Sequence, residues 1–500
     1  MALLSPGVEV IEKDASLTVP TAGSNFGAYA GKFTKGPSDE PILITSLQMF
    51  IDTFGYPTNN NYNDWYQVKS FLDYSNTIYV ARGIDRNGSD AEKEDTSIAL
   101  AEDAETGDEN LILTSVVGLW EGQLISLASD TTVYRIANID TPNSTITVAP
   151  SLSSDFYADQ IVYWRKPSTN AAVDLVKSGS TTTITDAMML PTIKTIANYN
   201  EFEANFDSIA MAHDDSSIKF IAKYHGTLGN SYSVVMASKT EFTTTAEAFP
   251  GINLASLFEY APTTDNQYGV LIWDDTVGQI VEKFLVSLDP TEKDYNNKNL
   301  YIEEVINRQS AYLYVKHVEG TKPKTALVNN ECVIYNLAYG LDGDVAKAEI
   351  MEQFDICFSD KEIIDIDIVI IPEIAHKEIA DFCKTRADVI GYFGARYEDV
   401  MGIKSTVAVN NLVTYITQTL NIDNKYVSFG GNYMQVYDRY ADKQRWINVA
   451  GSLAGLRALT SNQNEPWYSE AGLNRGQLKY VVKLAQNFNL GQRDYKGLVA

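Results

Sequence analysis

Asp365-Ile-Asp-Ile-Val-Ile-Ile371, closed by Pro372, is the stretch on which the fold turns. It is a largely apolar, β-branched run, the composition of a strand buried on both faces. Proline has no N–H to give a ladder and ends it. A helix carrying Ile379, Phe382 and Cys383 follows, then a second strand, Val389-Ile-Gly-Tyr-Phe393. Strand, helix, strand is the pattern of a parallel sheet. The other end of the chain reads the same way. Pro41-Ile-Leu-Ile-Thr45 predicts a strand. Ser46 predicts the cap of a helix whose Leu47, Phe50, Ile51 and Phe54 recur at i, i+3, i+4 and i+7, closed by Gly55. A second helix bears Trp65, Val68 and Leu72, and Ile78-Tyr-Val-Ala-Arg82 is the next strand.

Between these ends the pattern changes. Leu111–Leu113, Gln123–Leu127, Thr132–Ile136 and Thr145–Val148 are short runs punctuated by turn residues, as in a small barrel or sandwich. An acidic stretch, residues 88–110, precedes them and predicts a solvated linker or face. Residues 166–340 mix strands, near Lys219–Tyr224, Ser231–Met236, Tyr268–Trp273 and Val281–Val286, with Asp/Asn-rich loops. The expected class is α+β multidomain: a discontinuous α/β core domain with two nested, largely β insertion modules. The expected boundaries are 1–20 for an N-terminal arm, 21–87 plus 341–500 for the core, 88–166 for the outer β module and 167–340 for a mixed middle domain. Independent domains in series are the other arrangement the pattern admits. In the arm, Val8 and Val10 alternate with Glu9 and Ile11 but no second strand follows within hairpin distance, so this segment is expected to pair elsewhere.

The chain has 500 residues, 45% hydrophobic and 21% charged, enough for several cores. Its 39 Lys and Arg against 65 Asp and Glu give a net charge of −26. Such a field repels phosphate, arguing against nonspecific binding of nucleic acid or an anionic membrane. No 18-residue apolar run marks a spanning helix, and the N-terminus lacks the basic region of a signal peptide. The charge is uneven. Residues 401–500 hold 11 Lys and Arg against 6 Asp and Glu, a surplus of five, which leaves −31 on residues 1–400. The two ends are suited to different surroundings. Cys332, Cys357 and Cys383 form no CxxC pair and read as free buried thiols, in keeping with synthesis in a reducing cytoplasm.

Catalysis finds no foothold. Gly27-Ala-Tyr-Ala-Gly31-Lys32 has the wrong spacing for a phosphate loop, and Phe33 stands where a magnesium-binding hydroxyl should be. His213, His225, His317 and His376 are not at metal-ligand spacing, and His213-Asp214-Asp215 reads as a turn. Asp342-Gly343-Asp344 lacks the rest of a calcium loop. Asp365 and Asp367 alternate on one strand face and are the sole candidate acid/base pair. No cofactor and no metal is implied, and the expectation is a protein that is not an enzyme.

Several segments, in order, resemble the tail sheath proteins of contractile-tailed bacteriophages. Leu4-Ser-Pro-Gly-Val-Glu-Val-Ile-Glu12 is similar to the family's opening strand. Gly31-Lys-Phe-Thr-Lys-Gly-Pro37, the helix to Gly55, and Ile78–Arg82 follow its first block. Tyr224-His-Gly-Thr-Leu-Gly-Asn230, Glu282–Ser287 and Tyr301–Asn307 resemble its middle domain. Gly431–Asp438, Arg445-Trp-Ile-Asn-Val449, Gly451–Ala458 and Glu465–Gly472, with Asn474-Arg-Gly476, carry the sharpest likeness. Residues 88–165 match only as a variable outer insertion.

The resemblance implies a structural subunit of a viral tail sheath, stacked in hexameric rings around the tail tube and contracting to drive the tube through the host envelope. The partners implied are other copies of the chain, the tail tube protein, and baseplate and tail terminator proteins, with no nucleic acid or membrane. The place implied is the virion, after synthesis in the host cytoplasm. Val8, Val10, Ile11 and Glu12 would tie one subunit to the next by strand addition; residues 2–18, extended, reach about 55 Å at roughly 3.3 Å per residue. Arg439, Arg445, Trp446, Trp467 and Arg475 are the residue types that anchor interfaces. Small residues Ala450, Gly451, Ala454 and Gly455 suit close helix packing, within the domain or against a neighbour. A helix bearing Leu478, Val481, Val482 and Ala485 is expected near the end, and the family's usual further module, with its strand acceptor, is expected to be missing after Ala500. Two alternatives stand beside this reading: the sheath of a bacterial contractile injection particle, and a glycan-binding or glycan-active surface protein using Asp365 and Asp367.

Overall fold

The computed structural model describes residues 25–492 apart from 87–97, 118, 120–122, 129–131, 133, 166–167, 176–195, 210–216, 245, 250, 324–331, 339, 465–467, 473–475 and 490. The segment holding Asp365 to Ile371 does lie at the centre. Strands β1 (Gly27–Gly31), β2 (Ile42–Ile44), β3 (Ile78–Arg82), β4 (Ile368–Ile370), β5 (Ile390–Gly394) and β6 (Val427–Gly430) form one sheet, ordered β2-β3-β1-β4-β5-β6. Only β2 runs antiparallel to its neighbour. Gly27 stands opposite both Ile78 and Ile368, so β1 stitches strands from the two ends of the chain into one sheet. The strand near Asp365 is shorter than its apolar run: it begins at Ile368. Gly27–Gly31, weighed above as a phosphate loop, is a buried strand.

Helices α1 (Leu47–Phe54), α2 (Tyr62–Leu72), α3 (Lys347–Phe358), α4 (His376–Arg386), α5 (Ser405–Thr414) and α6 (Ala450–Gln463) surround this sheet. Alternate residues of a strand point to opposite faces, and β1 divides its side chains accordingly. Tyr29 joins Phe50, Trp65, Ile370 and Ala454 on the face covered by α1, α2 and α6. Ala28 and Ala30 join Ile350, Phe354, Ile379 and Cys383 on the face covered by α3 and α4. α1 starts and stops where the sequence placed it: Ser46 accepts from Met49 N, and Gly55, at φ 83°, caps Ile51. The small residues of α6 serve the chain's own core. Gly451 lies against the backbone of Gln67 and Gly455 against that of Phe71, so α6 and α2 touch main chain to main chain.

Residues 98–165 make a separate β unit. Five antiparallel strands, from Asn110–Ile112 to Val162–Arg165, pair around a core of Ile125, Tyr134, Ile136, Ile146 and Val148. Residues Ile98 to Ala101 bond both sheet edges: Leu100 N donates to Gln160 O at 2.9 Å, Ala101 N to Ile112 O at 2.8 Å. That bridging closes the sheet into a barrel rather than a sandwich. In the middle module a four-stranded sheet (Gln279–Ser287, Gln267–Asp274, Tyr232–Ser238, Ile334–Asn336) and a three-stranded one (Leu313–His317, Ile218–Ala222, Ala172–Asp174) share one core.

The passages between these units converge. Ser168 N donates to Asp85 O at 2.7 Å, and Ser168 Oγ donates to Asp342 O at 2.6 Å. The chain thus leaves the sheet, leaves the barrel and returns from the middle module within two hydrogen bonds. One expectation fails. Residues 478–485 are not helical: a turn at Lys479–Tyr480, with Tyr480 at φ 60°, leads into the strand Lys483–Leu484. Leu478 and Val481 pack against the core shared with α2 and α6 while Val482, Lys483 and Leu484 stay exposed, so pairing of Leu484 with Met434 and of Lys483 with Gln435, not side-chain periodicity, makes the strand.

Candidate assembly surface

Beyond the central sheet the chain builds a smaller one. Strands β7 (Tyr433–Asp438) and β8 (Lys443–Asn448) form a hairpin, and β9 (Lys483–Leu484) adds to the other side of β7. The hairpin turn is held from inside. Asp438 is fully buried and accepts from Arg445 Nε at 2.6 Å, Tyr440 N at 3.0 Å and Ala441 N at 3.3 Å. Burial alone would raise this carboxyl; the Arg445 guanidinium, the two N–H groups and Tyr66 hold it below the usual range. Arg445 stacks over Tyr62 at 4.5 Å and donates to Asn59 at 3.1 Å.

The outer edge of β8 is different. Asn448 N donates to Asn63 Oδ1 at 3.2 Å and its carbonyl accepts from Gln67 Nε2 at 3.1 Å, so its backbone faces away from β7. Ladder directions alternate along a strand, which turns the N–H and C=O of Trp446 and Gln444 to that same side. Among the described residues no backbone group pairs with them there.

The expected contact residues fall into four groups. Arg445 is buried and its guanidinium is engaged within the chain. Trp446 is half-buried with Lys483 Nζ 5.4 Å from its ring centre, on the strand with the open edge. Arg439 is exposed at the hairpin turn, lying over Tyr440. Val8, Val10, Ile11, Glu12, Trp467 and Arg475 lie outside the described residues. The sequence reading missed Asp438 as the partner of Arg445 and missed β9. The alternation across Tyr433–Asn448, broken at Tyr440-Ala-Asp442, was the available signal for the hairpin.

The acid/base candidates do not form a pair. Asp365 is exposed ahead of β4, whereas Asp367 accepts from Phe26 N at 3.0 Å, and burial raises its carboxyl. Asp342 accepts from Thr227 N and Oγ1 and fixes a loop of the middle module. His376 is buried against Tyr415, and burial followed by Arg396 pushes its imidazole down to about 3. His225 is pushed well below the ordinary value by burial and then by Arg82. The three cysteines are free and buried, their thiols raised by burial to about 12. Among the described residues no three His, Cys, Asp or Glu side chains gather as a metal would need, and no helix is long and apolar enough to cross a membrane.

No family model matches the chain. Curated relatives do. The tail sheath protein of Enterobacteria phage T4 is 27% identical over 99% of this chain and 78% of its own length. The tail sheath protein of Vibrio phage KVP40 is 25% identical over 99% of this chain and 79% of its own. That of Salmonella phage ViI is 23% identical over 98% and 75%. Among solved structures, a sheath tail protein from Desulfitobacterium hafniense aligns with a TM-score of 0.40 at 12% identity, over 97% of this chain and 68% of its own. One from Listeria innocua aligns at 0.39 and 10%, over 87% of this chain and 56% of its own. At such scores the backbones agree only loosely. This chain is thus similar, over 98–99% of its length, to the tail sheath proteins of phages.

Proposed function

We propose that the chain is a structural subunit of a contractile viral tail sheath, assembling as stacked hexameric rings around a tail tube and contracting to drive the tube through a host envelope. The observation that carries this reading is the similarity to the T4 tail sheath protein across 99% of the chain. A sheath must transmit force through many copies of one rigid body. A central sheet covered by apolar cores on both faces suits that demand.

The tie between copies is strand addition. Val8, Val10, Ile11 and Glu12 supply the strand, and, in place of the acceptor expected in a module after Ala500, the outer edge of β8, at Gln444 and Trp446, supplies unpaired backbone groups in a neighbouring copy. Of the nine residues expected above as contacts, four donate, Trp446 receives, Arg445 braces the receiving hairpin from within and Arg439 stands at its turn, while Trp467 and Arg475 lie outside the described residues. The barrel at 98–165 faces outward and bears no part of this tie. Partners beyond other copies are the tail tube, baseplate and tail terminator proteins, and the place of action is the virion.

Negative-stain microscopy of the protein co-expressed with its tube protein tests this. Striated tubes of regular width are expected. Uniform single particles under every salt condition would overturn it.

A further inference from the structure

We propose that the groove between α3 and α4 receives the β9 strip of a second copy of this chain, so that copies join head to tail. This contact rests on the reading above of a self-assembling subunit, and it is separate from strand addition at β8.

The groove encloses about 630 Å³ over a floor of Met351 and Phe382. Asp355, Asp360, Glu362 and Asp381 line it, exposed. Among the described residues none of these four carboxylates is ion-paired. Of the nearby bases, Lys347 bonds Glu378 at 2.7 Å and Arg386 turns inward to the carbonyls of Phe358 and Ile364 and to Asp388, while Lys361 lines the groove, exposed, so acid outnumbers base there. Two isoleucines adjoin these acids in the chain and remain in solvent, Ile356 at 50% and Ile363 at 84% exposure. Those isoleucines lie outside the groove lining, but acid over the apolar floor of Met351 and Phe382 itself calls for a partner both basic and apolar.

The chain carries such a strip: Lys479-Tyr-Val-Val-Lys-Leu484. Tyr480 is 69% and Val482 53% exposed, and beside them Lys479, which donates to Asp73 O at 2.5 Å, and Lys483, which lies over Trp446, keep exposed side chains. The strip belongs to the end of the chain with the surplus of five positive charges, and the groove to the part that carries −31. Complementary fields of this kind set register and reject wrong partners.

Geometry forbids the contact within one chain. Leu478 and Val481 anchor the strip to the apolar core shared with α2 and α6, on one face of the central sheet. The groove belongs to α3 and α4, on the opposite face. Two different patches on opposite faces make a heterologous interface, which repeats from copy to copy and either closes a ring or grows as a helix. Both are what a sheath requires.

A charge swap in the full 500-residue chain tests the proposal. One variant carries Asp355→Lys with Asp381→Lys; the other carries Lys479→Glu with Lys483→Glu. Sedimentation velocity across a concentration series should show each variant self-associating at least tenfold more weakly than the wild type. An equimolar mixture should recover association, because the basic groove of one then meets the acidic strip of the other and the converse. Thermal melting of each variant checks that it is folded, and Lys483→Glu alone should show a smaller loss should the double strip variant unfold. Association unchanged in both variants, or not recovered in the mixture, would overturn the contact and leave the subunit reading standing. Loss of binding to the tube protein with self-association intact would assign the groove to that partner and overturn the proposal. A wild-type chain that never associates would overturn both readings.

Discussion

The central sheet and the outer barrel are both built from short strands, yet they solve opposite problems. The sheet pairs Gly27 with Ile368, residues from far ends of the chain, and runs parallel. The barrel pairs Leu111 with Ile146 and Ile125 with Trp164, near neighbours in sequence, and runs antiparallel. Parallel strands need covered faces and crossover helices; antiparallel strands close on themselves through short turns. The sheet therefore forms only when distant segments have met, and each of its positions is fixed by several others. The barrel carries its own core and touches its surroundings with a face open to water. Substitutions should consequently be costly in the first region and mild in the second.

The largest effect is expected at the buried ion pair beside the sheet. Asp438→Ala leaves the Arg445 guanidinium buried without its carboxylate, a change that costs about 3–5 kcal/mol. In the barrel, Asp155 is exposed and bonds only Thr106, so Asp155→Ala should be barely detectable in the same denaturant titration. Replacing Asp438 and Arg445 together by leucine and methionine should recover much of the loss, because no unpaired charge remains. A double variant as unstable as Asp438→Ala would mean that the backbone N–H groups of Tyr440 and Ala441, rather than Arg445, carry the turn.

Glycines give the next contrast. A side chain at Gly451 would press into the Gln67 backbone, which cannot move without shifting α2. Gly451→Val should cost about 3 kcal/mol, at the upper end for overpacked cores. Gly107 in the barrel sits at φ 98° with open space around it. Gly107→Ala meets only backbone strain there, about 1 kcal/mol. Equal losses at the two sites would show that the contact between α6 and α2 yields more readily than main-chain packing should.

Much of this contrast was legible before any coordinates. The apolar spacing of Leu47, Phe50, Ile51 and Phe54 and the cap at Ser46 fix α1 locally, and the alternating runs from Leu111 to Val148 fix the barrel strands. The tie between Gly27 and Ile368 is not a local property, and only its two halves could be read. Residues 478–485 misled because Leu478, Val481, Val482 and Ala485 satisfy a helical spacing, whereas pairing with β7 makes the strand there, and pairing is not written in that segment. At the assembly surface, Arg445 and Trp446 are neighbours in sequence but face opposite ways on β8. Composition alone could not tell the bracing side chain from the one on the open edge.

Acid should separate the regions by sign, with smaller magnitudes. Around the sheet, burial raises the carboxyls of Asp64, Glu373 and Asp367 above their ordinary values. A carboxyl whose folded pKa is raised takes up a proton on folding, so its region gains stability as pH falls from neutral through the raised value, and the gain is complete below the ordinary value near ~4. In the barrel, the bonds from Thr106 lower the Asp155 carboxyl. That contribution is present above the ordinary value and is lost as pH falls through the lowered one. His376 and His225, held low by burial, act the other way, their contribution being lost as pH falls below the ordinary imidazole value near ~6.5. Hydrogen exchange at pH 7, 5 and 3 should therefore show the opening of β1 in the wild type slowing relative to Asp64→Asn as pH falls, with the barrel strands unchanged until below pH 4. Asp64→Asn should remove part of the gain at β1, since Tyr29 and Lys32 N then bond a side chain that cannot titrate.

The smallest effect is expected where the most sequence is removed. The barrel leaves the chain after Arg86 and returns before Ser168, and Ser168 N bonds Asp85 O at 2.7 Å. Its two ends are thus already adjacent, and rejoining Arg86 to Lys166 spans no gap that the sheet must distort to close. The barrel's apolar residues pack on one another in a cluster of their own, so deletion uncovers little of the sheet's core. Loop length enters the closure entropy only logarithmically, so shortening the connection should change stability by under about 1 kcal/mol. Exchange rates in β1 and β4 of the deleted protein should match those of the full chain, and the excised residues 98–165 should melt cooperatively alone. Accelerated exchange in β4, the more remote of these two strands in sequence from the cut, would mean that the barrel and the sheet form one cooperative unit, and that the difference between local and distant pairing does not partition this chain into separately stable parts.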